Sequence, residues 1–304
     1  MAQAISRSQP ARPRPPAVAA GPWADRRRRT LELGRRYFFA AELLDLYGAL
    51  LGTQEQAYDQ ANSARPAPGD LAAYVAEMVM PAVIDVSLAA GPGKLREAVA
   101  RRLEEIETAE MVAAWLRGED QVMVDRYLAR ASLSPVLEAV GPEYGAVCAG
   151  PRDARHCPQC GGLPQLSFAA PAGEDLATGR RYLACARCSA SWGYARMTCA
   201  GCGEDSTSRL TIFNEVGTTS GELGSVVRGL QGRLGENQNP HGEEAVFPHI
   251  RIEACDSCRH YLLNIDLASD PAAVPVVDEL AALPLGLHAS EQGFSKITPN
   301  LMGF

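Results

Sequence analysis

Eight of the nine cysteines form four CxxC pairs between residues 157 and 258. Two CxxC turns that face each other can place four thiolate sulfurs around one tetrahedral metal ion, each about 2.3 Å from it. Eight thiols at this spacing therefore predict two metal sites with four cysteines each. The pairs are Cys157 and Cys160, Cys185 and Cys188, Cys199 and Cys202, and Cys255 and Cys258.

The order of the pairs leaves two connectivities open. A cross-brace would join the first pair to the third and the second to the fourth, whereas sequential pairing joins neighbours along the chain. We favour sequential pairing, because each half then consists of a cysteine turn, short strands and a second cysteine turn. Site 1 would contain Cys157, Cys160, Cys185 and Cys188, and site 2 would contain Cys199, Cys202, Cys255 and Cys258.

Metal binding is favoured over two other uses of these cysteines. A redox-active CxxC is expected between a strand and a helix N-terminus, but these pairs lie in strand-like sequence. Iron–sulfur clusters commonly use more compact runs of cysteines. Tetrahedral thiolate sites accept zinc or iron, so the metal stays open. A closed site with four thiolates leaves no position for substrate, and we predict no catalytic residue and no enzymatic activity.

The residue after each second cysteine bears on the shape of the turn. Gly161 and Gly203 can adopt the left-handed backbone that lets main-chain N–H groups point at the sulfurs. Ser189 and Arg259 occupy the corresponding positions in the other two pairs. We therefore expect those two turns to be arranged differently.

Three further potential ligands, one cysteine and two histidines, lie outside the four CxxC pairs. Cys148 is the ninth cysteine, and we expect it to be a small buried apolar residue. His156 and His260 flank cysteine turns. An outer-shell role for them is open, but ordinary surface histidines are the simpler interpretation.

The first half of the chain has helical periodicity. Residues 1–30 are rich in proline and arginine and predict a mobile tail, either simply solvated or used for docking. Residues 31–150 predict an all-α domain, with its strongest helix over 94–119. Two further helices are expected, one over about 120–131 and one from Pro135 to Val140.

From Cys157 onward glycine, cysteine and short strand-like runs replace this periodicity. The predicted domains are a first four-cysteine module over 151–195, a second over 196–269, and a C-terminal helix and tail over 270–304. Asp270 before Pro271 is a plausible N-cap for that helix. The fold class is therefore α+β: an all-α N-terminal domain, two tandem β modules and a C-terminal helix.

Charge is distributed unevenly along the chain. Residues 1–40 carry nine arginines and two acidic residues, whereas the rest of the chain carries 20 basic and 34 acidic residues. Proteins that bind nucleic acid through their folded body usually present a basic face. Nucleic-acid binding is therefore an unfavoured alternative, and only the N-terminal arm suits an anionic partner.

We expect a cytoplasmic protein without a membrane span. We find no apolar run that approaches the roughly 18–20 residues that a span needs, and the N-terminus lacks the hydrophobic stretch of a signal peptide. The segment 34–51 superficially resembles a twin-arginine export signal. Glu42 and Asp45 interrupt its apolar part and fit the polar face of an amphipathic helix.

The order of these motifs resembles the formate dehydrogenase accessory protein FdhE family. The resemblance lies in CPQCG, GRRYLACARC (179–188), Trp192 shortly after the second pair, CAGC, and EACDSCRHYL (253–262). It covers about residues 150–304 with specific motifs and the first half only by its helical character. The long 203–254 segment departs from the compact family pattern and puts the shape of the second module in doubt.

The resemblance implies a cytoplasmic, non-enzymatic maturation factor that binds the catalytic subunit of respiratory formate dehydrogenase. It also implies that the two modules are rubredoxin-like and bind iron through the eight paired cysteines. The alternatives that remain are a rubredoxin-like electron carrier and a zinc-ribbon protein that binds nucleic acid. We expect two metal ions per chain, iron by the resemblance or zinc. We also expect the helical half to keep its structure when metal is removed.

Overall fold

The computed structural model describes residues 22–103, 107–170, 179–215 and 245–303. Residues 1–21 of the predicted tail and residues 216–244 of the long 203–254 segment lie outside the described residues. Seven helices of the first half are described: α1 Pro22–Arg36, α2 Ala41–Ala64, α3 Leu71–Met78, α4 Met80–Ala90, α5 Gly93–Leu103, α6 Thr108–Arg117 and α7 Met123–Val140.

Helix α1 corrects the prediction that residues 22–30 belong to a mobile tail. Pro22 stands in its first turn, a position where the missing N–H costs nothing. Trp23, Arg29 and Leu33 are buried along one face, and the helix packs on α2. Its burial depends on ionic partners far away in sequence: Arg29 bonds to Asp278 and Arg26 bonds to Glu138 through two contacts of 3.0 and 3.1 Å.

The expected single helix over 94–119 is wrong, because it is divided between α5 and α6. Glu107 has an extended backbone, with φ −80° and ψ 115°, immediately before α6 begins. Gly118 then ends α6 in the left-handed conformation with φ 75°. High helix propensity along the segment did not reveal this break, since tertiary packing overrides propensity.

For helix α7 the prediction was wrong in the opposite sense, because two helices were expected where one forms. We expected one helix over about 120–131 and another from Pro135 to Val140, yet α7 continues through Pro135. A proline cannot donate to the carbonyl four residues earlier, here that of Ala131. Gln54 of α2 supplies the missing donor, because its Nε2 bonds to the Ala131 carbonyl at 3.0 Å.

Helices α3 and α4 contain the most apolar stretch of the described chain. Contrary to our expectation, Pro68–Ala90 is long and apolar enough to cross a membrane by length and composition, with a mean hydropathy of 1.6. The stretch is interrupted at Val79, where α3 ends and α4 begins. Leu71, Val75 and Val83 are completely buried against the other helices.

The cysteine-rich half forms one mixed sheet of seven described strands in the order β3-β2-β1-β6-β5-β4, with β7 pairing on β6. All neighbours are antiparallel except β1 with β6 and β6 with β7. The strands are β1 Pro164–Ala169, β2 Arg181–Cys185, β3 Ser191–Gly193, β4 Leu210–Asn214, β5 Ile250–Cys255, β6 His260–Asp266 and β7 Ser295–Lys296.

The two expected β modules are therefore joined rather than separate. Strand β1 of the first pairs in parallel with β6 of the second, with Ser167 opposite Asn264. The Asn264 amide donates to Ser167 Oγ, and that hydroxyl donates to Glu253 of β5. Pairing β1 with β6 also satisfies backbone groups that would otherwise stand at two open edges.

The C-terminal segment contains two short helices instead of one, α8 Pro275–Ala281 and α9 Leu283–Glu291. Asp270 does not cap the first of them, since Val274 is the residue before α8. The Asp270 carboxylate instead accepts from the Ala272 N–H and from Arg29.

Two buried clusters cross the expected boundary near residue 150. One joins Leu128 and Leu133 of α7 to Leu183, Trp192 and the cysteines of the first pair of turns. The other joins the α1–α2 face to the sheet and to α8 and α9. The α+β class is confirmed, with helices and sheet packed into common cores.

Candidate metal centres

Centre 1 lies between the turn that precedes β1 and the turn that follows β2. The Sγ atoms of Cys157 and Cys188 are 3.6 Å apart, and those of Cys160 and Cys185 are 3.4 Å apart. All four side chains are buried, with exposures of 0% to 5%.

Centre 2 lies between the turn after β3 and the tight turn that joins β5 to β6. The distance is 3.7 Å from Cys199 Sγ to Cys258 Sγ and also 3.7 Å from Cys202 Sγ to Cys255 Sγ. Cys199 and Cys255 are buried, Cys258 is half-buried and Cys202 is exposed. The eight cysteines are thus grouped sequentially and not as a cross-brace.

These separations fit tetrahedral metal coordination. Sulfurs 2.3 Å from a tetrahedral ion are about 3.8 Å from one another, close to the spacing in both centres. A disulfide would need about 2.0 Å, and all nine cysteines are free. Metal ligation by the eight cysteines stays a prediction, and the donor set suits zinc and iron equally.

All four turns share one backbone geometry. The residue after the second cysteine is left-handed in each, with φ of 69° at Gly161, 59° at Ser189, 85° at Gly203 and 57° at Arg259. The expectation that Ser189 and Arg259 form different turns is therefore wrong. Closing the turn around four sulfurs outweighs the steric cost of a left-handed side chain, which is about 1–2 kcal/mol.

Main-chain donors point at the sulfurs in both centres. The Arg187 N–H lies 3.3 Å from Cys185 Sγ, and the Gly201 N–H lies 3.3 Å from Cys199 Sγ. Hydrogen bonds to a thiolate stabilise its charge and orient it, as outer-shell contacts do in metal sites generally.

The four sulfurs of centre 1 lie so close together that the pKa values of their thiols shift in opposite directions. Hydrogen bonds from Cys160, Cys185 and Cys188 lower the pKa of Cys157. Hydrogen bonds with Cys157, Cys160 and Cys185 raise the pKa of Cys188, and burial raises it further. Four thiolates at this spacing repel each other, so full ionisation needs a cation among them.

Several residues around centre 1 were missed by sequence reasoning. Arg187 crosses from the second turn and donates to the carbonyls of Ala149 and Cys160 at 2.9 and 3.0 Å. Gly162 leaves no space for a side chain, since a Cβ there would lie 3.0 Å from Cys185 Sγ. The second glycine of CPQCGG was the available signal, whereas nothing marked Arg187.

The remaining candidates are placed outside the two centres. Cys148 is buried as predicted, and burial raises its thiol pKa to about 11. His156 Nδ1 pairs with Asp153 at 2.7 Å, and exposed His260 bonds to the Cys258 carbonyl at 2.7 Å. Neither histidine belongs to a group of potential ligands among the described residues.

A third group of potential ligands, His249, Asp270 and Asp278, is already occupied by internal partners. The Asp278 carboxylate accepts from Arg29, from His249 Nε2 at 2.9 Å and from the Val274 N–H at 2.7 Å. The Arg29 guanidinium takes the place that a cation would have there.

The fold and these sites define an α+β protein built around two four-cysteine centres. The family model described as "FdhE, central domain" matches residues 156–196, and the model described as "FdhE, C-terminal domain" matches residues 234–302. Each matched range overlaps one centre. Over these two ranges the chain matches the FdhE family.

Similar curated proteins come from several bacteria. A "Protein FdhE homolog" from Aquifex aeolicus is 33% identical over 149 residues, which are 49% of this chain and 42% of the relative. A homolog from Pseudomonas aeruginosa is 29% identical over 231 residues, 72% of this chain and 65% of the relative. The matches thus span between about two fifths and two thirds of these relatives.

The fold is similar to "The crystal structure of the FdhE protein from Pseudomonas aeruginosa". The TM-score is 0.60 at 23% identity, and the match covers 92% of this chain and 94% of that one. At this identity the likeness concerns the fold.

Proposed function

We propose that this protein is a cytoplasmic accessory factor for the maturation of a formate dehydrogenase, that it binds the catalytic subunit, and that it is not an enzyme. The observation that carries the proposal is that the FdhE central-domain match contains all four cysteines of centre 1, and that the C-terminal-domain match contains Cys255 and Cys258 of centre 2. A centre closed by four thiolates leaves no position for substrate, which supports a role in holding a client rather than converting it.

Each centre would hold one metal ion, zinc or iron, through its four cysteines. The bound ion would neutralise thiolate charge and hold together the two cysteine turns of its centre. Its binding energy would therefore contribute to folding. Elemental analysis of protein purified without chelator or oxidation should find close to two metal ions per chain. A content near zero contradicts this part of the proposal.

Serine variants test the grouping of ligands in solution. Replacing Cys157 and Cys160 together should remove the metal of centre 1 and leave the metal of centre 2. Loss of both ions from an otherwise folded chain would instead favour the cross-brace.

The accessory role is tested in a strain that lacks the gene and has no second copy. Formate dehydrogenase polypeptides should be present by immunoblot while formate-dependent dye reduction is lost, and the intact gene should restore it. Affinity-tagged protein from the complemented strain should retain the catalytic subunit, identified by mass spectrometry. Normal formate oxidation in the deletion strain would refute the assignment. Salt-dependent DNA binding, or a reversible redox wave of iron-loaded protein, would then support the other classes.

A further inference from the structure

The two centres differ in how they are enclosed. The sulfurs of centre 1 belong to side chains at most 5% exposed, whereas Cys202 and Cys258 form an accessible edge of centre 2. We propose that centre 2 is a metal-exchange site, open at Cys202 and Cys258 to soft-donor ligands such as thiolates, and that centre 1 retains its ion while the chain is folded. The proposal rests on both centres holding metal, which is part of the proposed function.

Centre 1 is closed by direct backbone contact with the segment after α7. A Cβ built on Gly145 would lie 2.0 Å from the Gln159 carbonyl oxygen, and one on Gly150 would lie 2.5 Å from that of Gly161. Approaches this close require glycine and leave no space for a ligand between the segment and the first cysteine turn. Reaching the sulfurs from this side therefore requires the segment to open.

Arg187 fastens this segment to the centre, and Arg152 braces the segment internally. Arg187 bonds to the Ala149 and Cys160 carbonyls and lies over the Trp115 ring of α6. Arg152 donates to the carbonyls of Gly145 and Cys148 at 2.8 and 3.1 Å. These contacts tie the helices over centre 1, so opening it would break several hydrogen bonds at once.

Centre 2 is covered on one edge only, as far as the described residues extend. Ile297 packs over Gly201, and Tyr194 donates to the Cys199 carbonyl at 3.0 Å, so the Cys199 and Cys255 edge is enclosed. Across the opposite edge, a side-chain bond of 2.6 Å from the exposed Ser257 to half-buried Glu204 is the one that joins the two cysteine turns among described residues. A ligand approaching Cys202 meets solvent-exposed polar groups rather than packed backbone.

The exchange is a ligand substitution without change of oxidation state. An incoming thiolate would form a bond to the ion as the bond to Cys202 breaks, and the freed Cys202 thiolate would take up the proton that the incoming thiol had released. Cys258 leaves next by the same substitution, because it is the other accessible ligand. Two further substitutions at Cys199 and Cys255 would complete the transfer of the ion to acceptor thiolates, and no electron donor or acceptor would be needed.

Chelator kinetics on the full chain loaded with two zinc ions test whether centre 2 releases its ion faster than centre 1. With excess 4-(2-pyridylazo)resorcinol, one equivalent should be released quickly. The second should be released at least about tenfold more slowly, because it waits for local opening. Cys202→Ser should abolish the fast phase, and Cys188→Ser should abolish the slow one.

Alkylation keeps the test independent of how the cysteine variants fold. Iodoacetamide applied to the metal-loaded native chain, followed by peptide mass mapping, should label Cys202 and Cys258 well before any cysteine of centre 1. Earlier labelling of centre 1 contradicts the proposal.

A milder change probes the open edge itself. Ser257→Ala removes the bond to Glu204 and should accelerate the fast phase while leaving the slow phase unchanged. Ser208→Ala is the matched control, since Ser208 is an exposed serine that bonds only to Ser206 among described side chains. Equal effects of the two variants would argue against control of release at this edge.

Elemental analysis before chelation separates the two proposals. Two bound ions released at one rate overturn the exchange site alone. A chain that contains no metal overturns the metal part of the proposed function, and the exchange site with it.

Discussion

At the scale of single residues, centre 1 depends on the absence of one side chain as much as on its four thiols. Gly162 follows the first cysteine turn, and its Cα faces two sulfurs. A Cβ there would lie 3.0 Å from Cys185 Sγ and 3.3 Å from Cys160 Sγ, closer than most real Cβ contacts. The sulfurs would have to move by a few tenths of an ångström, which would disturb their tetrahedral spacing, so the position favours glycine for reasons of space.

Gly162→Ala should therefore disturb centre 1 selectively. Overpacking of this kind costs about 1–3 kcal/mol, and here it would also displace metal ligands. We expect a lower melting temperature and loss of up to one of two metal ions, measured by thermal denaturation and elemental analysis. Gly193→Ala in β3 is the control, since a Cβ there meets nothing within 4 Å. Equal behaviour of the two variants would contradict the steric argument.

At the scale of elements, helix α7 passes through Pro135 because another helix replaces the lost hydrogen bond. Gln54 of α2 is buried and donates to the Ala131 carbonyl, the group that Pro135 cannot satisfy. An unsatisfied buried carbonyl would cost free energy comparable to a lost hydrogen bond. The pairing of α2 with α7 therefore includes a polar contact as well as apolar packing.

A double-mutant cycle measures this contact. Gln54→Ala should reduce the free energy of unfolding by about 1–3 kcal/mol, because the Ala131 carbonyl is left without a donor. In a Pro135→Ala background the cost should be smaller, since residue 135 then supplies the N–H. Gln56→Ala, at an exposed position of the same helix, should change little. Identical costs in both backgrounds would show that the two residues are not coupled.

Helix α1 is held by charge as well as by apolar packing. Arg29 and Asp278 are each only 1% exposed and bond to each other. Burial alone would lower the pKa of Arg29, but its bonds to Asp278 and Asp270 raise it, so the guanidinium stays charged. The pair connects α1 to α8 near the other end of the chain.

Arg29→Gln should be strongly destabilising, by about 3–5 kcal/mol, because it leaves the buried Asp278 carboxylate without its cation. Urea denaturation followed by circular dichroism would measure the change. Arg27→Gln is the matched control two residues away, where the ion pair with Glu55 is partly exposed, and its denaturation midpoint should hardly move. A small effect of Arg29→Gln would mean that α1 is held by apolar packing alone.

Local patterns in the sequence were sufficient to predict the sequential grouping of the cysteines and the α+β class, since CxxC spacing and helical periodicity are short-range signals. Helix α1 was missed because its partners Glu138 and Asp278 lie more than 100 residues away. The left-handed backbone at Ser189 was missed because residue type alone favours glycine there. The parallel pairing of β1 with β6 has no local signature, since the two strands are about 95 residues apart.

At the scale of the whole molecule, the helices and the sheet cannot be separated as sequence composition suggests. The cluster that contains Leu128 and Leu133 of α7 also contains Cys157 and Cys185 of centre 1. Arg187 adds polar contacts between the same parts. Loss of centre 1 would thus remove one wall of the core against which α6 and α7 pack.

Complete metal removal should therefore unfold both halves together, contrary to the expectation from composition. A strong chelator under mild denaturing conditions should cause the helical circular dichroism signal and the tryptophan fluorescence to change in a single coincident transition. Cys202→Ser, which opens only centre 2, should keep most of the helical signal, because that centre contributes less to the shared core. If the helical signal survived removal of both ions, the two halves would fold independently, and the buried contacts across residue 150 would contribute little to the stability of the helices.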